Sequence, residues 1–162
     1  MLKIAHNKIF RYELDKNHRF PMEKYDLIPE LLLKEKTCNS INFFDPGNLN
    51  DLDALSIHDS DYYEKLITLS LTEKEIRPIG FPMSKELIIR EKKIAQGTIE
   101  CSRFSIKNGI SMNIAGGTHH AFSDRAEAFC MLNDQAISAN YLLKNKLAKK
   151  ILIIDLDVHQ GN

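Results

Sequence analysis

The chain has 162 residues, 43% of them hydrophobic and 27% charged, with Lys+Arg and Asp+Glu both at 22. That is an ordinary globular composition, long enough for one domain with a sizeable core. The net charge near zero gives no electrostatic footprint for nucleic acid or a membrane surface. The three cysteines, Cys38, Cys101 and Cys130, are odd in number and show no CxxC spacing. They read as neither a disulfide framework nor a cysteine zinc site, which points to a reducing compartment. The first residues carry no long apolar region and no apolar run is long enough to span a bilayer, so a cytoplasmic location is expected.

In chain order, Leu2 to His6 reads as a first strand and the polar stretch Arg11 to Arg19 as a loop. Pro21 can open a helix, and Met22 to Lys36 carries apolar residues at Leu27, Leu31 and Leu32. Ile41 to Phe44 reads as a second strand, closed by Asp45-Pro46-Gly47. Asp61 to Leu69 has helical character. Ser84 is an N-cap candidate for a long helix to about Lys107, with Leu87, Ile88, Ile94, Ala95 and Ile99 near one face. Asn108-Gly109 stops that helix, and the strand Ile110 to Ile114 runs into Gly116-Gly117. Asn133 or Asp134 caps a further helix, with Ala136, Ala139 and Leu143 on one side. Ile151 to Ile154, four consecutive β-prone apolar residues, is expected to be a strand buried on both faces. Strand, helix and strand at these lengths form the βαβ unit of a parallel sheet, so the expected fold is α/β with a doubly wound, mainly parallel sheet.

Two dense polar clusters follow strands, where open α/β sheets bind ligands. One is Gly116-Gly117-Thr118-His119-His120; the other is Asp155-Leu156-Asp157-Val158-His159-Gln160-Gly161-Asn162. While the backbone stays extended, Asp155, Asp157 and His159 share one face, and carboxylate oxygen with imidazole nitrogen is a zinc donor set. The competing reading is that the two aspartates only cap a turn. His119 and His120 sit after a Gly-Gly pair that lets backbone approach a ligand closely. Two imidazoles near two carboxylates can divide base and electrostatic roles. His58 reads instead as a packed or loop histidine.

These clusters, with Phe129-Cys130-Met131-Leu132-Asn133-Asp134 between them, resemble the histone deacetylase family in order and spacing. The His-Gln-Gly-Asn ending, the stretch His18 to Tyr25, Gly80-Phe81-Pro82 and Gly97-Thr98 are similar to its class IV branch and bacterial relatives. The resemblance covers essentially the whole chain, and it implies that residues 1–162 form the N-terminal portion of a single deacetylase-like domain of the arginase/deacetylase type, truncated.

The resemblance implies zinc-dependent hydrolysis of an acyl-amide, with an acyl-lysine or acyl-polyamine as the substrate. It makes Asp157 and His159 two of three zinc ligands and His120 the general base. His119, leaning on Asp155, would stabilise charge or protonate the leaving amine. Asn162 falls where many members have an aspartate facing the second histidine, and a neutral carboxamide raises that histidine's pKa less than a carboxylate would. Asp155 would also line a buried monovalent-cation site, for which potassium is the candidate. Phe129 matches the aromatic wall of the acyl-lysine tunnel. Ala128 stands where the family has glycine; its carbonyl can still accept from the substrate amide, while its methyl narrows the tunnel or shifts the loop.

The family's third zinc ligand and its carbonyl-polarising tyrosine match nothing in these residues, so the 162-residue chain alone is expected to be inactive. Two other readings compete. A ureohydrolase of the arginase type would hold two manganese ions, but it lacks the His-His pair. A non-catalytic remnant or interaction module would bind without turnover.

Overall fold

The computed structural model describes residues 1–162. Its centre is a three-stranded parallel sheet in which β1 (Lys3–Ala5) lies between β2 (Phe43–Phe44) and β3 (Ser111–Asn113). Ile4 is opposite Phe43 on one side and Met112 on the other. Parallel neighbours require long crossovers. Here one crossover contains α1 (Lys24–Lys34). The other contains α2 (Asp51–Ala54), α3 (Ser60–Thr68), α4 (Glu73–Ile76) and α5 (Lys85–Asn108), and α6 (Asp134–Lys144) follows β3. The expected α/β class with a parallel sheet is what forms.

Helix α5 organises the rest. Ser84 Oγ accepts from Leu87 N at 3.1 Å, capping an orphan donor of the first turn, and Gly109 ends the helix at φ +87°. Its apolar face, Leu87, Ile88, Ile94, Ala95 and Ile99, is buried as the helical spacing requires. Gly97 lets the helix press onto the sheet: a Cβ there would lie 2.9 Å from Asn113 Nδ2 and 3.3 Å from Ala5 Cβ. The helix touches β1, β3 and α6, and so fixes the C-terminal end of β3 relative to the start of α6. No helix is long and apolar enough to cross a membrane.

Two expectations change. Helix α1 buries Tyr25 and Pro29, while Leu27 and Leu31 are exposed, so its inward face is not the leucine face. The doubly buried strand at Ile151 to Ile154 does not form. These residues pair with no strand, and Leu152 and Ile154 are 81% and 73% exposed. An apolar run becomes a central strand only when a neighbour offers a hydrogen-bonding edge on each side. The sheet ends at β3 without pairing to this run.

Candidate active site

The site is built where β3 runs out. Asn113 Oδ1 accepts from Ala115 N at 3.2 Å and turns the chain into Gly116-Gly117. Gly117, at φ +89°, adopts the left-handed conformation that glycine takes without a Cβ penalty. The buried Asp134 carboxylate binds the backbone N–H groups of Gly117 and Thr118. The loop so held carries His119 and His120, whose Nε2 atoms are 3.0 Å apart, with ring planes at 70°.

The final segment folds back on this pair. Asn162 N donates to His119 O at 2.9 Å. Asp155 Oδ2 lies 3.4 Å from His119 Nδ1, and the Asn162 carboxamide nitrogen lies 3.4 Å from His120 Nδ1. His120 titrates below the ordinary histidine value because burial disfavours its cation, and because His119 and His159 add repulsion.

Asp155, Asp157 and His159 come together through turns rather than along a strand. Asp155 Oδ1 accepts from Asp157 N at 2.9 Å, and Asp157 Oδ1 accepts from His159 N at 2.8 Å. Each aspartate thus caps the backbone two residues on, as the turn reading of the sequence held. Asp155 Oδ2 still reaches His119, and the His159 ring centre is 6.0 Å from that of His120. The backbone and side-chain hydrogen bonds from His159 hold the Asp157 carboxyl below its usual range.

His119, His120, Asp157, His159, Ala128 and Phe129 all open onto one cavity of about 470 Å³. Asp155 and Asn162 stand behind the histidines rather than on its wall. Ala128 and Phe129 reach the cavity on a strained turn, with φ of +45° and +68°. It is clamped by Ala128 N to Pro78 O at 3.0 Å and Phe129 N to Ile79 O at 2.7 Å. The left-handed φ explains why glycine suits position 128 and why alanine there carries backbone strain. The Phe129 ring packs against both Phe20 and Phe81, with centroids at 5.0 and 4.9 Å, and the Arg19 guanidinium lies 4.9 Å over it.

Other wall residues, Lys24, Tyr25, Arg90 and Cys130, escaped the reading of the sequence as site residues. Arg90 is buried, donates from Nε to Phe10 O at 2.7 Å and pairs with buried Glu91. Adjacent charges on a helix normally describe a solvated face, so the sequence carries no signal for this pair. Burial also pushes the Cys130 thiol up to about 12, which makes it an inert wall. His58 is structural, as its context suggested: Nδ1 donates to Phe122 O at 2.9 Å and Nε2 accepts from Asn133 N at 3.1 Å.

Asp157 and His159 offer oxygen and nitrogen donors of the type that zinc takes. No cluster of three or more His, Cys, Asp or Glu side chains able to hold a metal is present. By donor chemistry, these two residues suit a zinc ion but do not by themselves complete a site for it.

The fold is that of solved histone deacetylase homologues. A homologue from Aquifex aeolicus superposes with a TM-score of 0.74 at 24% identity, over 89% of this chain and 41% of that one. The HDA15 HD domain gives 0.81 at 16% identity, over 99% and 48%. In sequence, the chain is 39% identical over 150 residues to an uncharacterized protein of Picosynechococcus, covering 92% of this chain and 50% of that protein. It is 30% identical to the acetoin utilization protein AcuC of Staphylococcus aureus, covering 96% and 42%. Histone deacetylase 2 of Arabidopsis thaliana matches at 24% over 92% and 40%. The chain therefore spans half or less of the length of these curated relatives. The histone deacetylase domain model matches residues 18–162, and the chain belongs to that family. Family membership leaves the ureohydrolase reading without support.

Proposed function

We propose that the protein hydrolyses the amide of an acylated amine, an acyl-lysine or acyl-polyamine, as a zinc-dependent deacylase. One observation carries this reading: a hydrogen-bonded His119–His120 pair, backed by Asp155 and Asn162, opens with Asp157, His159 and Phe129 onto a single cavity in a chain of this family.

Asp157 and His159 would hold zinc as two of its protein ligands. When bound, zinc activates water and polarises a carbonyl as a Lewis acid. The protein residues do the rest. His120, held neutral near pH 7 by its lowered pKa, is fit to take a proton. The Asn162 amide nitrogen donates to His120 O and lies beside His120 Nδ1, and the His120 and His119 Nε2 atoms face one another across a single hydrogen bond. His119, with Asp155 against Nδ1, is the better site for a positive charge and so for returning a proton to the leaving amine. Phe129 and its aromatic neighbours line an apolar wall for the acyl or alkyl chain. A monovalent cation such as potassium beside Asp155 belongs to the same proposal. All three cysteines are free and buried, which suits a reducing cytoplasm.

The test is metal content and turnover of the protein expressed from its complete reading frame, beside His159→Ala. The wild type is expected to hold about one zinc per chain and to release carboxylate from an acyl-lysine peptide, and the variant to lose both. Full zinc occupancy and unchanged turnover in His159→Ala would overturn the assignment.

A further inference from the structure

Asp134 sits at the first position of α6, is 1% exposed, and is not itself the N-cap, which is Asn133. Its carboxylate faces away from its own helix. Oδ2 accepts from Gly117 N at 3.0 Å, and Oδ1 accepts from Thr118 N at 2.7 Å. The hydroxyls of Thr98 and Thr118 are also within hydrogen-bond reach, and Asp134 N donates back to Thr118 Oγ1 at 3.2 Å. The direction of the Thr98 bond is set from behind. Asn113 Nδ2 donates to Thr98 Oγ1 at 2.8 Å and to Ile94 O at 2.9 Å, so the Thr98 proton is left for Asp134. Gly116 completes the fit, because a Cβ there would lie 2.8 Å from Asp134 Oδ2 and 3.0 Å from Thr98 Oγ1.

The backbone N–H groups of Gly117 and Thr118 and the Thr98 hydroxyl donate to this carboxylate, which accepts on both oxygens, while the Thr118 hydroxyl also has Leu132 O within reach at 2.5 Å. An asparagine would turn an NH2 group toward one of those donors. The two residues held, Gly117 and Thr118, immediately precede His119 and His120. Backbone N–H bonds to a buried carboxylate fix the position of a loop more tightly than exposed polar contacts do.

We infer that Asp134 is the positioning residue of the histidine pair: its carboxylate, aimed by Asn113 and Thr98, sets where His119 and His120 stand in the cavity. This role rests on the proposed deacylase reading for its catalytic consequence, but not for its structural one.

The experiment compares Asp134→Asn with Ser138→Ala in the protein expressed from its complete reading frame. Ser138 is a buried control one turn along α6, bonded to Ser102 and the Thr98 carbonyl rather than to the loop. Folding is checked by circular dichroism, and assays are run well below the unfolding midpoint. Amide hydrogen exchange is read at Gly117 and Thr118. In Asp134→Asn those two amides are expected to exchange at least about ten times faster while the α5 amides stay protected; a cost of one lost charge-assisted bond is of that order. Turnover is expected to fall about 10- to 100-fold with KM little changed, the effect of a misplaced catalytic group. Ser138→Ala is expected to change neither. Unchanged protection and unchanged kcat in a folded Asp134→Asn would overturn the inference, as would equal losses in both variants. If the wild type hydrolyses no acyl-amide, the deacylase proposal fails, and the exchange data still decide whether Asp134 holds the loop. If Asp134→Asn does not fold, Thr98→Val, which removes one donor from the carboxylate, is read in the same way, with a smaller effect expected.

Discussion

Gly80→Ala perturbs the wall of the cavity at a point where two costs can be separated. Gly80 lies at φ +80°, where an L-residue carries about 1–2 kcal/mol of backbone strain. A Cβ there would also lie 2.7 Å from Phe129 Cε1 and 3.2 Å from Cδ1, whereas carbon atoms sit comfortably at about 3.5–4.0 Å. The ring cannot simply swing aside, because Phe20 and Phe81 pack on it at 5.0 and 4.9 Å and His18 stands at 6.0 Å. Overpacking of this kind costs about 1–3 kcal/mol. The substitution is thus expected to destabilise by about 2–5 kcal/mol in total, which lowers the unfolding midpoint by about 2–4 °C per kcal/mol. In a Phe129→Ala background the overlap has no partner, and the same change should cost only the backbone part, about 1–2 kcal/mol. The assay is a double-mutant cycle by urea denaturation, with the coupling energy as its readout. Equal costs of Gly80→Ala in the two backgrounds would refute the contact.

Acid should weaken the fold through His58. Burial depresses its pKa below the ordinary histidine value, and protonation of Nε2 would break the bond from Asn133 N. The unfolded chain then binds the proton better, so this contribution is intact above about pH 6.5 and is lost as pH falls below it. Urea midpoints at pH 7.5 and 5.5 should show the fall in the wild type and a shallower one in His58→Gln, and equal slopes would contradict the reading. The exposed run Leu152, Ile154, Leu156 and Val158 should make the 162-residue chain self-associate. Ile154→Lys should shift its sedimentation toward monomer; an already monomeric parent chain would contradict this.

What could be read from the sequence was local. The His119–His120 pair and the Asp155 to Asn162 cluster were visible because a few residues after a strand determine their neighbourhood. Helix α5 was visible because its cap and apolar period lie within one element. Four features needed tertiary information. Ile151 to Ile154 has a strand's composition, but strand formation depends on an edge supplied from elsewhere. The inward face of α1 is set by Tyr25 and Pro29, against the leucine spacing. Asp134 looked like one of two alternative helix caps, and only the packing of α6 on α5 brings its carboxylate to the histidine loop. The buried Arg90–Glu91 pair was hidden for the same reason, since its partners Phe10 and Tyr25 lie far away in sequence.

The most direct test of the deacylase account is the steady-state kinetics of His120→Ala on an acyl-lysine peptide, in the protein expressed from its complete reading frame. A general base acts in the transition state, so kcat is expected to fall by about 10²–10⁴-fold while KM stays close to that of the wild type. A variant that raised KM alone, or turned over at the wild-type rate, would contradict the role given to the histidine pair and with it the proposed mechanism.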